Sequence, residues 1–385
     1  MKNIADQISW ISRLVAFDTT SSKSNLALIE DVEAYLAGLG VASFRVPNDD
    51  GTKANLYAVV GPPVEGGVVL SGHTDVVPVE GQDWSSDPWT VIEKDGRLYG
   101  RGVADMKSFS AIGLSLVPEM LKAGLKRPII FALSYDEEIG LFGAPRMIAE
   151  ISEKAPAPSA VIVGEPTNMK VIDGHKGIAS FKVKVTGYTT HSSQTDRGVS
   201  AVEAAAKLIV KITEMRERRA AAADKDSPFD PPYSTMTVNV ARGGTQLNIM
   251  AGEAEFQWDM RVIPGDSRED IIGEFTDYAR GVEAEMRAKA AGCRIEIEQL
   301  TNAPALAPEA NNPAADIAKA ISGHNGTEVV SYAAEAGQFQ EAGFSVVICG
   351  PGSIDQAHQP DEFITLEQVR AGTVFMRRLI ERLSA

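Results

Sequence analysis

Two cysteines in 385 residues are too few for a disulfide framework, and they exclude a metal held by a full set of thiolates. Long apolar runs are missing too: no segment approaches the ~18 consecutive apolar residues that a membrane span requires. Basic residues are in deficit, 37 Lys and Arg against 52 Asp and Glu, for a formal charge of −15. Clustered Lys and Arg are what a phosphate backbone binds, so nucleic acid is not an expected partner, nor is an anionic membrane surface. Small or cationic partners suit this charge better. The first residues, "MKNIADQISWISRLVAF", carry acids and no uninterrupted apolar stretch. Ile4, Ile8, Ile11 and Val15 recur there at helical spacing, which predicts an amphipathic helix of the fold rather than a leader. Together these absences lead to the expectation of a cytoplasmic enzyme.

What is present is more chain than one core usually holds, so two domains are expected. Short β-rich runs alternate with helical patterns, which predicts an α/β domain whose parallel sheet is covered by helices. The candidate strands are Asn55–Val60, Val68–Leu70, Pro128–Ser134, Ala160–Val163 and Ser345–Cys349. The candidate helices include Asn25–Leu39 and Lys107–Ala123. Between Gly177 and about Leu300 the texture changes. "IASFKVKVTG" alternates apolar and polar residues as a half-exposed strand does. A helix, two strands, a helix and a strand come after it, and β-α-β-β-α-β is the ferredoxin-like split motif. It reads as a second domain inserted into the first.

An α/β sheet presents its chemistry just beyond the carboxyl ends of its strands. His73 and Asp75 follow Val68–Leu70, and Asp105 follows the short run "RLYG". Glu137 and Glu138 follow Pro128–Ser134, Glu165 follows Ala160–Val163, and His358 follows Ser345–Cys349. Taken singly, each piece is an ordinary loop or turn. Five of them at one edge are much better explained by one site than by five accidents. Two imidazoles with carboxylates and no thiolates suit zinc, cobalt or manganese. Of the other histidines, His324 reads as surface, and His175 as a hinge or supporting group. His191 is either a surface loop residue or a group that reaches a substrate.

The motifs "GHTDVVP", "GRGVADMKS", "DEEIGLFGA", "VGEPT", "HSS" and "GPGSIDQAHQPDE" together resemble the two-zinc amidohydrolase and exopeptidase superfamily. That superfamily includes acetylornithine deacetylases, succinyl-diaminopimelate desuccinylases, aminoacylases and bacterial carboxypeptidases. The resemblance covers nearly the whole chain. It implies a zinc-exopeptidase-like α/β/α catalytic domain formed by residues 1–177 and 301–385. Residues 178–300 would be a ferredoxin-like α+β lid that also makes a homodimer. Carried over motif by motif, His73 and Glu165 would bind one divalent ion and His358 and Glu138 the other, zinc or cobalt, with Asp105 bridging. Asp75 would accept the second ring N–H of His73 and so fix its tautomer. Glu137 would be the general base, and His191 would stabilise the oxyanion, in the family from the partner subunit's lid. A cis peptide would follow Asp105.

The C-terminal stretch "YAAEAGQFQEAGFSVVICGPGSIDQAHQPDEFI", with "GEPT" and "GHKG", is similar to the acetylornithine deacetylase subgroup. Desuccinylases usually carry a Gly- and Asp-rich segment with an Arg where this chain has "AAEAGQF". One departure is Ala334, where the deacetylase pattern commonly has Thr. The substrate implied is a small N-acyl amino acid, N-acetyl-L-ornithine, cleaved to L-ornithine and acetate in arginine biosynthesis. The alternative is a desuccinylase or another N-acyl amino acid deacylase or exopeptidase. Arg261 is a candidate for the substrate carboxylate, because a guanidinium fork matches it bidentately; a surface ion pair explains it equally well. Asn248 matches a lid asparagine of the family. Glu335, in the segment that separates the subgroups, is expected to read the ornithine ammonium; the alternative is a solvated loop acid.

Overall fold

The computed structural model describes residues 4–385. The chain forms two compact units. One comprises the chain up to Gly174 with Leu306–Val329 and Ala334–Ala385, and the other comprises His175–Ala305 with Val330–Ala333.

In chain order the strands are β1 (Ser43–Pro47), β2 (Ala54–Val60), β3 (Val68–His73), β4 (Ile92–Lys94), β5 (Arg97–Tyr99), β6 (Ile129–Ser134), β7 (Ala160–Pro166) and β8 (Val171–His175). The second unit adds β9 (Gly177–Thr186), β10 (Thr235–Gly243), β11 (Glu253–Val262) and β12 (Arg294–Ala303). The chain closes with β13 (Thr327–Val330), β14 (Val346–Gly350) and β15 (Phe363–Thr365).

The large sheet has the order β1-β2-β6-β3-β7-β14-β8-β13. Its centre is parallel: β6 with β3, β3 with β7, and β7 with β14. Every residue of β3 and β6 is buried, as continuous apolar runs covered on both faces must be. The sheet is mixed rather than parallel throughout, because β2 runs antiparallel to β6. Only residues 61–67 join β2 to β3, and a parallel arrangement needs a crossover of a dozen residues or more.

The expected helix over Lys107–Ala123 is two helices, Lys107–Ser115 and Val117–Lys122. Pro118 lacks an N–H and its ring clashes with the preceding turn, so the first helix stops before it. The strand after Pro128 starts at Ile129, and the first helix runs Ala5–Val15 with Ile11 and Val15 inside.

The second unit has strand order β10-β11-β9-β12, all neighbours antiparallel. With the helices Ala201–Ala221 and Arg268–Lys289 this is the ferredoxin-like arrangement. Burial alternates along β9 and β11, so one sheet face meets the helices. Trp258 fills that core, stacked on Phe181 at 4.7 Å and tilted by 56° against Phe275 at 4.9 Å, centroid to centroid. Ser200 and Ser267 cap the two helices by accepting from the N–H of Glu203 and Asp270. The first of these helices runs on to Ala221, into the Ala-rich stretch that follows Arg219.

Candidate metal centre

The parallel strands β3, β6, β7 and β14 all end at the same edge of the sheet. His73 is the last residue of β3, and Glu165 lies one residue from the end of β7. The glycine of "VGEPT" is there for packing: a Cβ on Gly164 would stand 2.0 Å from a ring carbon of Phe109. After β6 the chain turns at Asp136, whose φ of 57° is left-handed, and then presents Glu137 and Glu138. His358 follows β14 and a short 3₁₀ turn, Ile354–Gln356, also with a left-handed φ of 63°.

Asp105 arrives differently from the others. The strand before it, β5, belongs to a separate three-stranded sheet, β15-β5-β4, not to the large one. The peptide bond after it, Asp105–Met106, is cis.

These five side chains form two groups that share Asp105. Nε2 of His73 lies 3.0 Å from Asp105 Oδ1 and 3.8 Å from Glu165 Oε1. Nε2 of His358 lies 3.3 Å from the other oxygen, Asp105 Oδ2, and 3.0 Å from Glu138 Oε2. Within each group the donor atoms all lie within 4.8 Å of one another. Oε1 of Glu138 and Oε1 of Glu165 are buried and accept no hydrogen bond. Buried carboxylate oxygens left without a donor are costly, and a cation in each group removes the cost. Nitrogen and oxygen donors in these numbers fit a divalent ion.

The electrostatics agree. Burial pushes the Glu138 carboxyl up to about 7, helped by the charge of Asp105 and opposed by its hydrogen bond with His358. Burial likewise drives Glu137 and Glu165 well above the usual carboxylate range. Burial also resists ionisation of Asp105, but hydrogen bonds from His358 and His73 outweigh it and hold that carboxyl low. His358 is raised to about 10 by its hydrogen bonds to Asp105 and then Glu138. Without a cation the cluster gathers protons, and a metal must displace them.

The expected partner of His73 is corrected by the structure. Its Nδ1 faces the backbone carbonyl of Asp75 at 2.9 Å, while the Asp75 carboxylate is 3.6 Å away. That carboxylate is occupied elsewhere. It accepts from the N–H of Glu137 at 3.2 Å, the N–H of Glu138 at 3.3 Å and the Ser21 hydroxyl at 2.6 Å. Asp75 therefore holds the loop of the two glutamates, and a backbone oxygen orients the imidazole.

Glu362, its partner Arg101, and Lys53 escape a reading of the sequence. Glu362 is fully buried and gathers the loop that delivers Asp105. Its oxygens accept from the N–H groups of Gly102 (3.0 Å), Ala104 (2.7 Å) and Asp105 (3.1 Å), and from the buried Arg101 guanidinium at 2.7 Å. It stands just before β15, which pairs with β5, so the ladder itself carries it to this loop. Lys53 pairs with Asp136 and with the carbonyl of Ser21, bracing the turn that leads to Glu137. Glu362→Gln would turn an amide NH₂ toward backbone donors, and it is expected to weaken metal binding ~10–100-fold, as loss of a supporting partner does. Metal titration of the stripped protein checks this, with a thermal melt to confirm the fold; unchanged affinity would refute it.

Glu335 is corrected as well. It is 1% exposed, and its oxygens accept from the hydroxyls of Ser134 and Ser71 on the neighbouring strands β6 and β3. Burial raises its carboxyl, with the Ser134 hydrogen bond opposing. A carboxylate so enclosed is a fixture of the sheet, not a surface that reads a side chain. Ala334 beside it is also buried. His175 is buried, its Nδ1 2.9 Å from the Lys176 carbonyl, and desolvation lowers it to about 4, so it is a neutral structural group. His324 is exposed.

His191, Asn248 and Arg261 lie in the second unit. Arg261 donates to Asp259 at 2.9 Å, the surface ion pair that competes with a substrate-binding role. His191 and Asn248 are brought together: Ser192 N–H donates to the Asn248 carbonyl at 3.0 Å, and His191 is bridged to Ile249. Among the described residues no helix is long and apolar enough to cross a membrane.

Comparison with known proteins places this geometry. Acetylornithine deacetylase of Proteus mirabilis is 33% identical over 369 residues, 95% of this chain and 92% of that one. The Pasteurella multocida acetylornithine deacetylase is also 33% identical, with 99% and 98% covered. A metallo-carboxypeptidase from Sulfolobus solfataricus shares the fold with a TM-score of 0.77 at 17% identity, over 98% of this chain and 99% of that one. A tripeptidase from Staphylococcus aureus does so with a TM-score of 0.78 at 19% identity, over 100% and 99%. Residues 69–382 match the model of the peptidase family M20/M25/M40. With that match, near-full-length relatives and a carboxylate–imidazole cluster made for divalent metal, the chain belongs to peptidase family M20/M25/M40 and is a metal-dependent hydrolase.

Proposed function

We propose that this chain hydrolyses N-acetyl-L-ornithine to L-ornithine and acetate, in arginine biosynthesis. The pair of ligand groups sharing Asp105 is the observation that carries the chemistry. The substrate rests on the relatives named acetylornithine deacetylase.

In this reading His73, Glu165 and Asp105 would hold one ion, and His358, Glu138 and Asp105 a second, with zinc or cobalt suited to the donor set. Such ions supply Lewis acidity, lowering the pKa of water from 15.7 to about 7 and polarising the carbonyl. Glu137 takes a proton from the attacking water and returns one to the leaving nitrogen, so that water is added across the amide and free amine and acetate result. Its high proton affinity suits a group that must receive and release a proton near neutrality. Asp75 holds the backbone of Glu137 and Glu138, and Lys53 braces the turn before them through the Asp136 carboxylate.

His191 donates to the oxyanion from the second unit, Asn248 hydrogen-bonds substrate, and Arg261 takes the α-carboxylate after leaving Asp259. The second unit pairs with its copy in a homodimer, and the site is cytoplasmic. With Glu335 enclosed, the substrate ammonium is left to another group.

A release assay across N-acetylornithine, N-acetylmethionine, N-succinyl-diaminopimelate and a dipeptide tests the reading. The highest kcat/KM is expected on N-acetylornithine, and dominance of any other substrate would overturn it.

A further inference from the structure

The side chain of His191 is contacted by its own loop at Nδ1. The segment is anchored on both sides. Met250 N–H donates to the Thr190 carbonyl at 2.9 Å and Ser192 N–H to the Asn248 carbonyl at 3.0 Å. The chain then turns at once, with Gln194 N–H donating to the His191 carbonyl at 2.8 Å. That turn folds Ser193 back onto the imidazole. Nδ1 of His191 lies 2.8 Å from the Ser193 hydroxyl oxygen and 3.3 Å from the Ser193 backbone nitrogen.

Bond direction decides the tautomer. A backbone N–H can only donate, so the ring nitrogen it faces must offer a lone pair. A proton on Nδ1 would point at another proton. The hydroxyl can donate to the same lone pair and reinforces the choice. In the neutral imidazole the remaining proton is therefore on Nε2, the nitrogen at the far side of the ring.

We propose that Ser193 is a positioning residue that locks His191 as the Nε2–H tautomer, so that this histidine meets the reacting carbonyl as a neutral hydrogen-bond donor. The proposal deepens the reading above and rests on it for the role of His191. The wrong tautomer would aim a lone pair at a developing negative charge, and the donor would be lost without any change in the loop.

The test separates tautomer from role. The full-length enzyme, labelled with ¹⁵N-histidine, is studied by long-range ¹H–¹⁵N correlation at a pH where the ring is neutral, and the His191→Ala spectrum assigns the signal. A pyridine-type Nδ1 and a pyrrole-type Nε2 are expected for His191. Ser193→Ala removes one of the two donors and should move the Nδ1 signal, mixing the tautomers. The same variant should lose about 3- to 10-fold in kcat, the scale of one hydrogen bond, with KM little changed. Ser193→Thr, which keeps the hydroxyl, should restore both. An Nδ1–H tautomer in the wild type, or a spectrum unmoved by Ser193→Ala, would overturn the proposal. Full turnover by His191→Ala would instead overturn the donor role, whatever the tautomer proves to be.

Discussion

Glu137→Ala is expected to lower kcat by ~10²–10⁴-fold while the metal stays bound, because acid–base groups contribute on that scale. The structure separates Glu137 from its neighbour in the way this needs. Glu138 is engaged with His358 at 3.0 Å, and Glu137 belongs to neither ligand group. The backbone of both is held by Asp75, so removal of the Glu137 carboxylate leaves the loop in place. Metal content by emission spectroscopy and kcat on N-acetylornithine are the two readings. Near-wild-type turnover in a metal-replete variant would remove Glu137 from the mechanism. The same variant tests the proposed dimer. Mixed with a His191→Ala chain, it should regain activity, since one site of a mixed dimer would hold both intact residues. No recovery from verified mixed dimers would show that His191 does not act across the interface.

Asp105→Ala should abolish metal binding at both groups together, well beyond the ~10–100-fold loss that follows removal of a supporting partner. Asp105 is the one residue common to the two groups, offering Oδ1 to the side of His73 and Oδ2 to the side of His358. Its carboxyl stays ionised against its burial because both imidazoles hydrogen-bond to it. Remove it, and the remaining carboxylates and imidazoles are left in halves with nothing between them. Glu165→Ala and Glu138→Ala should each weaken a single binding step. Binding isotherms for the three variants distinguish these outcomes. Retention of one wild-type step by Asp105→Ala would show that the carboxylate is not shared.

Much of this site is written in local chemistry. The continuous apolar runs at β3, β6 and β7 could only be strands buried on both faces, and parallel strands deliver the residues beyond their carboxyl ends to one edge. Hence His73, Glu138, Glu165 and His358 are legible as one constellation from the sequence alone. The alternating run "IASFKVKVTG" likewise marks a sheet with one face on helices. Those signals are periodic and local, and a chain carries them regardless of its neighbours.

Only the tertiary structure decided the rest. Asp105 sits on a loop from a different sheet, and it reaches the cluster because Glu362, 257 positions later, binds its N–H. Asp75 grips the Glu137–Glu138 backbone rather than the ring of His73, and Glu335 is closed in by Ser71 and Ser134. Each of these is a choice among several donors that a short polar side chain could reach. Spacing along the chain ranks none of them. Which donor an acid receives depends on where strands from distant parts of the sequence lie side by side, and on which backbone N–H groups are left without partners when they do.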